Sequence, residues 1–362
     1  MLVMSTQLER AIEFYEKAYE AEAQGNIDRA EALYMESREL FEKEGGVHFI
    51  DAANVMNIIA FMKEKYGDYD GALQAARESA EIMKTRFKGG TSPAAETTRL
   101  QAWGLIGNVY RHMARYEDAE KILQCALEYA TERLGHTHEE TSAARNHLGI
   151  LYKYTGEFNK AEKLYRDALF DFIEQHGEGS SAVATIYHNL GGLFHARGDF
   201  AKSEPYARKA WEINRQLLGE DDPSTLADAA AYAGVLDGLE RYDESEPIYR
   251  HVLEKFEIIY GTEHYEIVVN LNNLANLRFA RGDYEGSEVL FRRSLAIKEK
   301  ILGVDHPDTA LTGNNLGVLL QSQGRLEEAR SLFTHALIVF ESQLGPTHPK
   351  TLMARENLAL TI

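Results

Sequence analysis

Residues 303–345 read GVDHPDTALTGNNLGVLLQSQGRLEEARSLFTHALIVFESQLG, and the stretches before them are variants of this unit. Glycines recur every 42 residues at Gly135, Gly177, Gly219, Gly261, Gly303 and Gly345. A fixed period of this length is the signature of a repeat array, in which each unit packs only on its neighbours. The sequence therefore predicts one structural unit repeated along most of the chain.

Each unit predicts two antiparallel helices. In the second half, apolar residues from Leu326 to Phe333 and beyond recur at three- and four-residue steps, which places them on one helix face. In the first half, Pro307 suits an initial helical position because its missing N–H would be unpaired there anyway. Gly324 separates the two halves, and Gly345 stands where a helix commonly ends in a left-handed residue.

Two columns of small residues predict close packing within each helix pair. The first column contains Ala18, Ala60, Gly107, Gly149, Gly191, Ala233, Ala275, Gly317 and Ala359. The second contains Ala30, Ala72, Ala119, Ala161, Ser203, Ser245, Ser287 and Ala329. Only a small side chain lets two helix backbones approach closely, so we expect both columns at the contact between helices.

The pattern Leu316-Gly317-x-x-Leu320, followed by Gly324, Ala329, Phe333 and Ala336, resembles the tetratricopeptide repeat. The longer unit, with its L-G-x-x-H-P motif and Asn314-Asn315, resembles the repeats of kinesin light chains and their bacterial relatives. This resemblance covers nearly the whole chain. It implies an all-α, right-handed superhelical α-solenoid of about eight tetratricopeptide helix pairs plus a terminal helix.

We expect residues 1–362 to form a single solenoid, because a repeat array has no internal boundary where contacts stop. Residues 1–90 hold the first two helix pairs, 91–348 six pairs at a mostly 42-residue period, and 349–362 a terminal capping helix. Five extra residues near Lys88–Pro93 predict a longer loop or a bend. The apolar end of the last helix leaves a second interpretation open, in which it docks a second chain or a missing extension of this one.

Composition limits the classes of partner. The 362 residues include 57 Asp and Glu against 39 Lys and Arg, which gives a net charge of −18 and argues against nucleic acid. Residues 1–6 carry no basic leader, and no apolar run reaches the roughly 18 residues of a membrane span. We therefore predict a cytoplasmic protein with no membrane partner. Cys125, the only cysteine, is expected to be a packed thiol.

In the tetratricopeptide class, the first helix of each pair lines an inner, concave surface, and the resemblance implies that this surface binds partners. Asparagines recur there, and an Asn amide both donates and accepts, so a row of them could hold the backbone of an extended peptide. Alternatively, they bond neighbouring helices, and both interpretations stay open. The row is interrupted at Gly104-Leu105 and Ala230-Ala231. The candidates are Asn57, Asn108, Asn146, Asn189, Asn272, Asn273, Asn276, Asn314 and Asn315.

Basic residues gather on the first helices of the third to fifth pairs, against the acidic background of the chain. Together they would raise the local positive potential and favour an acidic partner. Arg111, Lys153 and His195 share one column and are the best candidates for contact. The remaining candidates are His147 and His188.

Catalytic and metal-binding signatures are absent from the sequence. It has no G-x-S-x-G, no phosphate loop and no H-E-x-x-H. His136 and His138 are the closest histidine pair, but His138, His306 and His348 occupy the same loop position in their repeats, which indicates a repeated loop role. We predict no catalytic residue, no bound metal and no cofactor.

These patterns favour a non-catalytic scaffold or adaptor that captures a protein or peptide segment on its concave face. The alternative is a ligand-responsive regulatory solenoid, which changes its superhelical pitch on binding a small peptide or metabolite. Self-association through the terminal helix is a third hypothesis.

Overall fold

A computed structural model describes residues 5–87 and 92–361, which form seventeen α-helices and one short 3₁₀ helix, with no strand among them. The helices are α1 (Thr6–Ala23), α2 (Ile27–Glu44), α3 (Phe49–Lys65), α4 (Tyr69–Arg86), α5 (Pro93–His112), α6 (Tyr116–Leu134), α7 (Glu139–Tyr154), α8 (Phe158–His176), α9 (Ser181–Ala196), α10 (Phe200–Leu218), α11 (Pro223–Gly238), α12 (Tyr242–Tyr260), α13 (Tyr265–Ala280), α14 (Tyr284–Leu302), α15 (Pro307–Ser322), α16 (Leu326–Leu344) and α17 (Pro349–Ala359). The predicted all-α solenoid class of eight helix pairs and a terminal helix is confirmed.

The chain forms two compact units, Met1–Asp171 and Phe172–Ile362, and the boundary falls within α8. In the first unit, the helices from α1 to α7 each pack on the next one; α5 also packs on both α3 and α7. In the second unit, α9 to α17 follow the same order. We call the odd-numbered helices first helices and the even-numbered helices second helices. A single array over residues 1–362 stays a prediction.

The turns inside the helix pairs lie at the predicted positions. Gly324, for example, has φ +77°, in the left-handed region that glycine adopts without steric cost. Ala114 and Glu240 occupy the equivalent turns with φ +56° and +58°. Residues with a Cβ atom adopt this conformation at a cost, so these two turns carry local strain.

Both small-residue columns lie where helices approach closely. A Cβ atom on Gly317 would stand 2.6 Å from Cε1 of the buried Phe333. Where the column carries alanine, the residue is fully buried at Ala275 and at three earlier positions, Ala18, Ala60 and Ala233, but Ala359 at the end of α17 is exposed. In the second column, Ser287 adds a hydrogen bond, because its hydroxyl donates to the carbonyl oxygen of Ala275 at 2.8 Å. The predicted close packing is confirmed for these positions and is wrong for Ala359, which no later helix among the described residues covers.

Histidines cap several first helices. Nδ1 of His138, His306 and His348 accepts a hydrogen bond from the backbone N–H two residues further on, at 3.1–3.2 Å. This satisfies one of the N–H groups that a helix start leaves unpaired. The repeated loop role of these histidines is therefore helix capping. Over the described residues, no group of three or more His, Cys, Asp or Glu side chains is arranged to hold a metal ion.

Two details differ from the sequence expectations or extend them. The five extra residues are expected near Lys88–Pro93, of which Lys88–Thr91 lie outside the described residues. Helix α5, which begins at Pro93, has 20 residues, whereas α7 has 16, so the longer α5 accounts for most of the five extra residues. The expectation of a packed thiol at Cys125 is wrong, since the side chain is exposed. Its neighbour Ala126 occupies the buried position, and one residue along a helix turns a side chain by about 100°.

The end of the second unit is tied down by polar contacts. Gln321 Nε2 donates to the Leu360 carbonyl at 3.1 Å, and the Arg330 guanidinium donates to the Thr361 carbonyl. Leu360 itself is exposed. Among residues 5–87 and 92–361, the structure contains no helix with the length and apolar character needed to cross a membrane.

Candidate functional site

A groove of about 620 Å³ runs along the first helices of the first unit. Its polar lining includes Asn54, Asn57, Thr98, Gln101 and His147, contributed by α3, α5 and α7. Its apolar lining includes Phe61, whose side chain is 58% exposed. The groove therefore combines hydrogen-bonding groups with an accessible ring, which is the usual make-up of a binding site.

Asn57 shows the structural role that the sequence left open, and its role in binding a partner stays a prediction. Its Nδ2 donates to the carbonyl oxygen of Thr98 at 3.1 Å, so the side chain ties α3 to α5. Its buried Oδ1 has no hydrogen-bond partner. A buried carbonyl without a partner costs free energy, so this amide oxygen has an unmet hydrogen-bond requirement.

His147 fills the gap in the asparagine row at Gly104. A Cβ atom on Gly104 would stand 2.9 Å from Nε2 of His147, so only glycine leaves room for the ring. Asn108 Nδ2 lies 3.4 Å from His147 Nδ1. Burial lowers the pKa of His147, and Arg111 acts in the same direction, while Glu64 opposes them. The neutral ring can accept the hydrogen bond that Asn108 offers.

Arg111 and Lys153 come together at one end of the first helices. The guanidinium carbon of Arg111 lies 4.3 Å from the ring centroid of the exposed Tyr154, and Lys153 Nζ lies 5.6 Å from the same centroid. Arg111 is only 8% exposed, donates to His112 Nε2 at 2.8 Å, and has no partner for its Nε. The buried hydroxyl of Tyr165 also has no hydrogen-bond partner. Burial raises the pKa of this hydroxyl, and the nearby positive charge of Arg111 acts in the opposite direction.

The carboxylate of Glu64 lies 3.3 Å from His112 Nε2, which Arg111 contacts, but it does not pair with Arg111 directly. Within the described part of the chain, neither Arg111 nor Lys153 forms an ion pair with Asp or Glu. Burial lowers the pKa of Lys153, and the nearby charge of Arg111 lowers it further. By contrast, Lys160 lies 4.7 Å from the ring centroid of Tyr152 and is ion-paired with Glu157. The Arg111–Lys153 pair is thus a positive site without a direct ion-pair partner among the described residues, in a chain of net charge −18.

In the second unit, His188 and His195 are both exposed and make different contacts. His188 Nδ1 lies 2.7 Å from Asp228 Oδ1, and Asp228 Oδ2 accepts from Asn214 Nδ2 at 2.7 Å. His195 packs edge-on against Phe200, with ring centroids 5.1 Å apart. His188 is therefore held by a carboxylate, whereas His195 presents its ring to solvent.

The other asparagines divide between structural and accessible positions. Asn272 Nδ2 lies 3.4 Å from Thr312 Oγ1, and the buried Asn314 accepts from Asn357 Nδ2 at 3.1 Å, so both connect neighbouring first helices. Asn276 is exposed. The half-buried members are Asn146, Asn273 and Asn315, and Asn189 is 9% exposed.

A cavity of about 640 Å³ lies in the second unit, where the sequence showed only an interruption of the asparagine row. Helix α11 faces it with Ala227, Ala230, Ala231 and Gly234. Sequence reasoning missed this site, although the run of small residues at asparagine positions was its signal. The small side chains of α11 leave a space that the neighbouring helices do not fill.

Comparison with known proteins agrees with this geometry. The sequence model of the tetratricopeptide repeat matches residues 98–169, 182–258, 225–300, 266–337 and 308–361, which is well over half of the chain. The chain belongs to the tetratricopeptide repeat family. No curated protein matches it in sequence.

Several solved structures resemble this tetratricopeptide repeat protein. A Rap protein complexed with Competence and Sporulation Factor has a TM-score of 0.56 at 14% identity, covering 98% of this chain and 100% of that one. The apo form of RapI has a TM-score of 0.55 at 14% identity, covering 80% and 98%. BtubC (BKLC) from P. vanneervenii has a TM-score of 0.49 at 23% identity, covering 66% and 93%. At these identities the likeness concerns the fold alone.

Proposed function

We propose that this protein is a non-catalytic scaffold or adaptor, and that its first unit captures an acidic peptide segment along the first helices. The observation that carries the proposal is the Arg111–Lys153 pair, which lacks any carboxylate partner among the described residues. Partly buried charges without a counter-charge cost stability, because desolvation is not offset by pairing. A carboxylate brought by a partner would supply the missing charge.

The neighbouring groove supports capture of an extended segment. One turn before Arg111 on α5, Asn108 contacts His147, and His147 lines the groove together with Asn57. The unpaired Oδ1 of Asn57 can accept a backbone N–H, and the exposed ring of Phe61 offers apolar contact. The proposed ligand is therefore an extended peptide with an acidic side chain or carboxyl terminus at Arg111 and Lys153.

The test is selection from a displayed library of random peptides, with the intact chain as bait. We expect the selected peptides to be rich in Asp and Glu and to bind less tightly as salt concentration rises. The double variant Arg111→Gln, Lys153→Met should weaken their affinity by about tenfold or more, since hydrogen bonds between charged groups contribute roughly 1.5–3 kcal/mol each.

Lys160→Met is the matched control, because Lys160 also lies over a tyrosine ring but already has its carboxylate. It should leave peptide affinity unchanged. Selection of neutral or basic peptides, or equal affinity for the intact chain and the double variant, would contradict the proposal.

A ligand-responsive regulator is a second candidate, and the cavity of the second unit is the observation that favours it. The Rap protein noted above was crystallised with Competence and Sporulation Factor, so a protein of similar fold has been solved with a bound factor. A ligand-dependent change in the radius of gyration, measured by solution scattering, would support this candidate. An unchanged radius at saturating ligand would remove it.

A further inference from the structure

Helix α11 has a face almost without side chains. Ala227, Ala230, Ala231 and Gly234 follow one another at three-, one- and three-residue steps and all line the cavity. A small-residue face normally lets another helix approach, as in the two columns described above. Here α11 and α13 approach each other at few points, whereas α3 and α5 pack closely. The space that the small residues create is therefore left open.

The walls of this space suit an aromatic group. Helix α12 contributes Tyr249, Phe256 and Tyr260 to the lining, and α13 contributes Val269. The volume of about 640 Å³ falls within the roughly 300–1,000 Å³ of small-molecule sites. Aromatic rings pack well in offset or edge-on arrangements against tyrosine and phenylalanine.

One buried polar group in the lining has an unmet hydrogen-bond requirement. Asn270, on α13, is only 2% exposed, and its Oδ1 has no hydrogen-bond partner. Buried side-chain oxygens are nearly always bonded, so each exception needs an explanation. Asn270 lines the cavity, so a ligand that fills the cavity lies against this residue.

We propose that the cavity of the second unit binds a small aromatic molecule that carries an N–H or O–H donor, and that this donor bonds to Asn270 Oδ1. The ring packs against the Ala-Gly face of α11 and the aromatic residues of α12. His188 and Glu266 also line the cavity and supply polar contacts. This site is independent of peptide capture by the first unit, and it gives the regulatory candidate a ligand class.

The test uses indole and benzofuran, two bicyclic probes of nearly the same shape. Indole presents an N–H donor, whereas benzofuran presents only a ring oxygen. Calorimetric titration of the full chain should show saturable binding of indole, with benzofuran about tenfold weaker, as expected when one buried hydrogen bond is lost.

Three variants separate the parts of the proposal. Asn270→Leu keeps the side-chain volume and should make the affinities for indole and benzofuran equal. Ala231→Leu fills the cavity and should abolish binding of both probes. Ala280→Leu, at an exposed position at the end of α13, is the matched control and should change neither affinity.

Absence of saturable indole binding overturns the proposal, as does equal affinity of the two probes for the intact chain. Binding of tryptophan-containing peptides, but of neither free probe, would assign the cavity to a peptide side chain and likewise overturn it. None of these results bears on Arg111 or Lys153, so a failure here is distinguishable from a failure of the peptide proposal.

Discussion

The substitution Gly317→Ala tests whether close helix packing, rather than glycine flexibility, explains the first small-residue column. The added Cβ atom would stand 2.6 Å from Cε1 of Phe333 and 3.0 Å from both Cδ1 and Cζ. Phe333 is fully buried, so its ring cannot swing into solvent. Overpacking of this kind costs about 1–3 kcal/mol, while alanine in place of glycine gains about 1 kcal/mol in helix propensity. We expect net destabilisation of about 1 kcal/mol.

Gly313→Ala is the matched control on the same helix. Its Cβ atom would meet only Leu332 Cδ2, at 3.7 Å, which is an ordinary contact. This variant should therefore gain stability by up to about 1 kcal/mol, which places the two variants about 2 kcal/mol apart. The alanine at position 275, packed near the buried Phe291, shows that the column tolerates a methyl group once the helices are spaced for it.

Repeat arrays often unfold in several steps, so the comparison should be made locally. Native-state hydrogen exchange of the amides in α15 and α16 gives the opening free energy of this helix pair. Partial recovery on adding Phe333→Leu to Gly317→Ala would locate the cause in the ring contact. If Gly317→Ala proves as stable as Gly313→Ala, the explanation of the column by close packing is refuted.

Three further predictions concern single residues. The folded-state pKa of His147 lies below its ordinary 6.5. As pH falls below 6.5, the unfolded chain therefore takes up the proton first, and the stability of the folded chain declines. His147→Asn should reduce this dependence of stability on pH, measured as the urea midpoint at several pH values. The folded-state pKa of Lys153 lies below its ordinary 10.5, so stability should rise as pH rises from the folded-state pKa towards 10.5. Lys153→Met should raise the thermal midpoint at neutral pH by an amount equivalent to about 1 kcal/mol. An unchanged midpoint would show that the ammonium group is adequately solvated. Ala114→Gly and Glu240→Gly should each stabilise the chain by about 0.5–1 kcal/mol, because glycine adopts a positive φ without the steric strain of a Cβ atom. A loss of stability in thermal unfolding would contradict this.

Much of the fold was predictable because its determinants are local and repeated. The 42-residue period, the apolar spacing within each helix and the small columns each recur several times, so one unit explains the next. The prediction for Cys125 was wrong because helix rotation exposes its side chain, while the neighbouring Ala126 is buried. A helix turns by about 100° per residue, so neighbours in sequence face different surroundings.

The candidate sites were less predictable because they depend on distances between repeats. The sequence placed Arg111 and Lys153 in one column, but whether an acidic side chain pairs with them depends on the positions of residues from other repeats. The partner of Asn57 is the carbonyl of Thr98, 41 residues further on. Likewise, Ala230-Ala231 marked an interruption in a row, and only the packing of α12 and α13 turns that interruption into a cavity with Asn270 in its lining.

The central claim is that a peptide lies along the first helices of the first unit, and site-specific photo-crosslinking tests it most directly. A photoreactive phenylalanine would replace Gln101, which lines the groove on α5, or Lys121, which is exposed on the second helix α6. With an acidic peptide from the display selection, the account predicts crosslinks from position 101 and none from position 121. Crosslinks from position 121 alone, or equal yields from both, would contradict it.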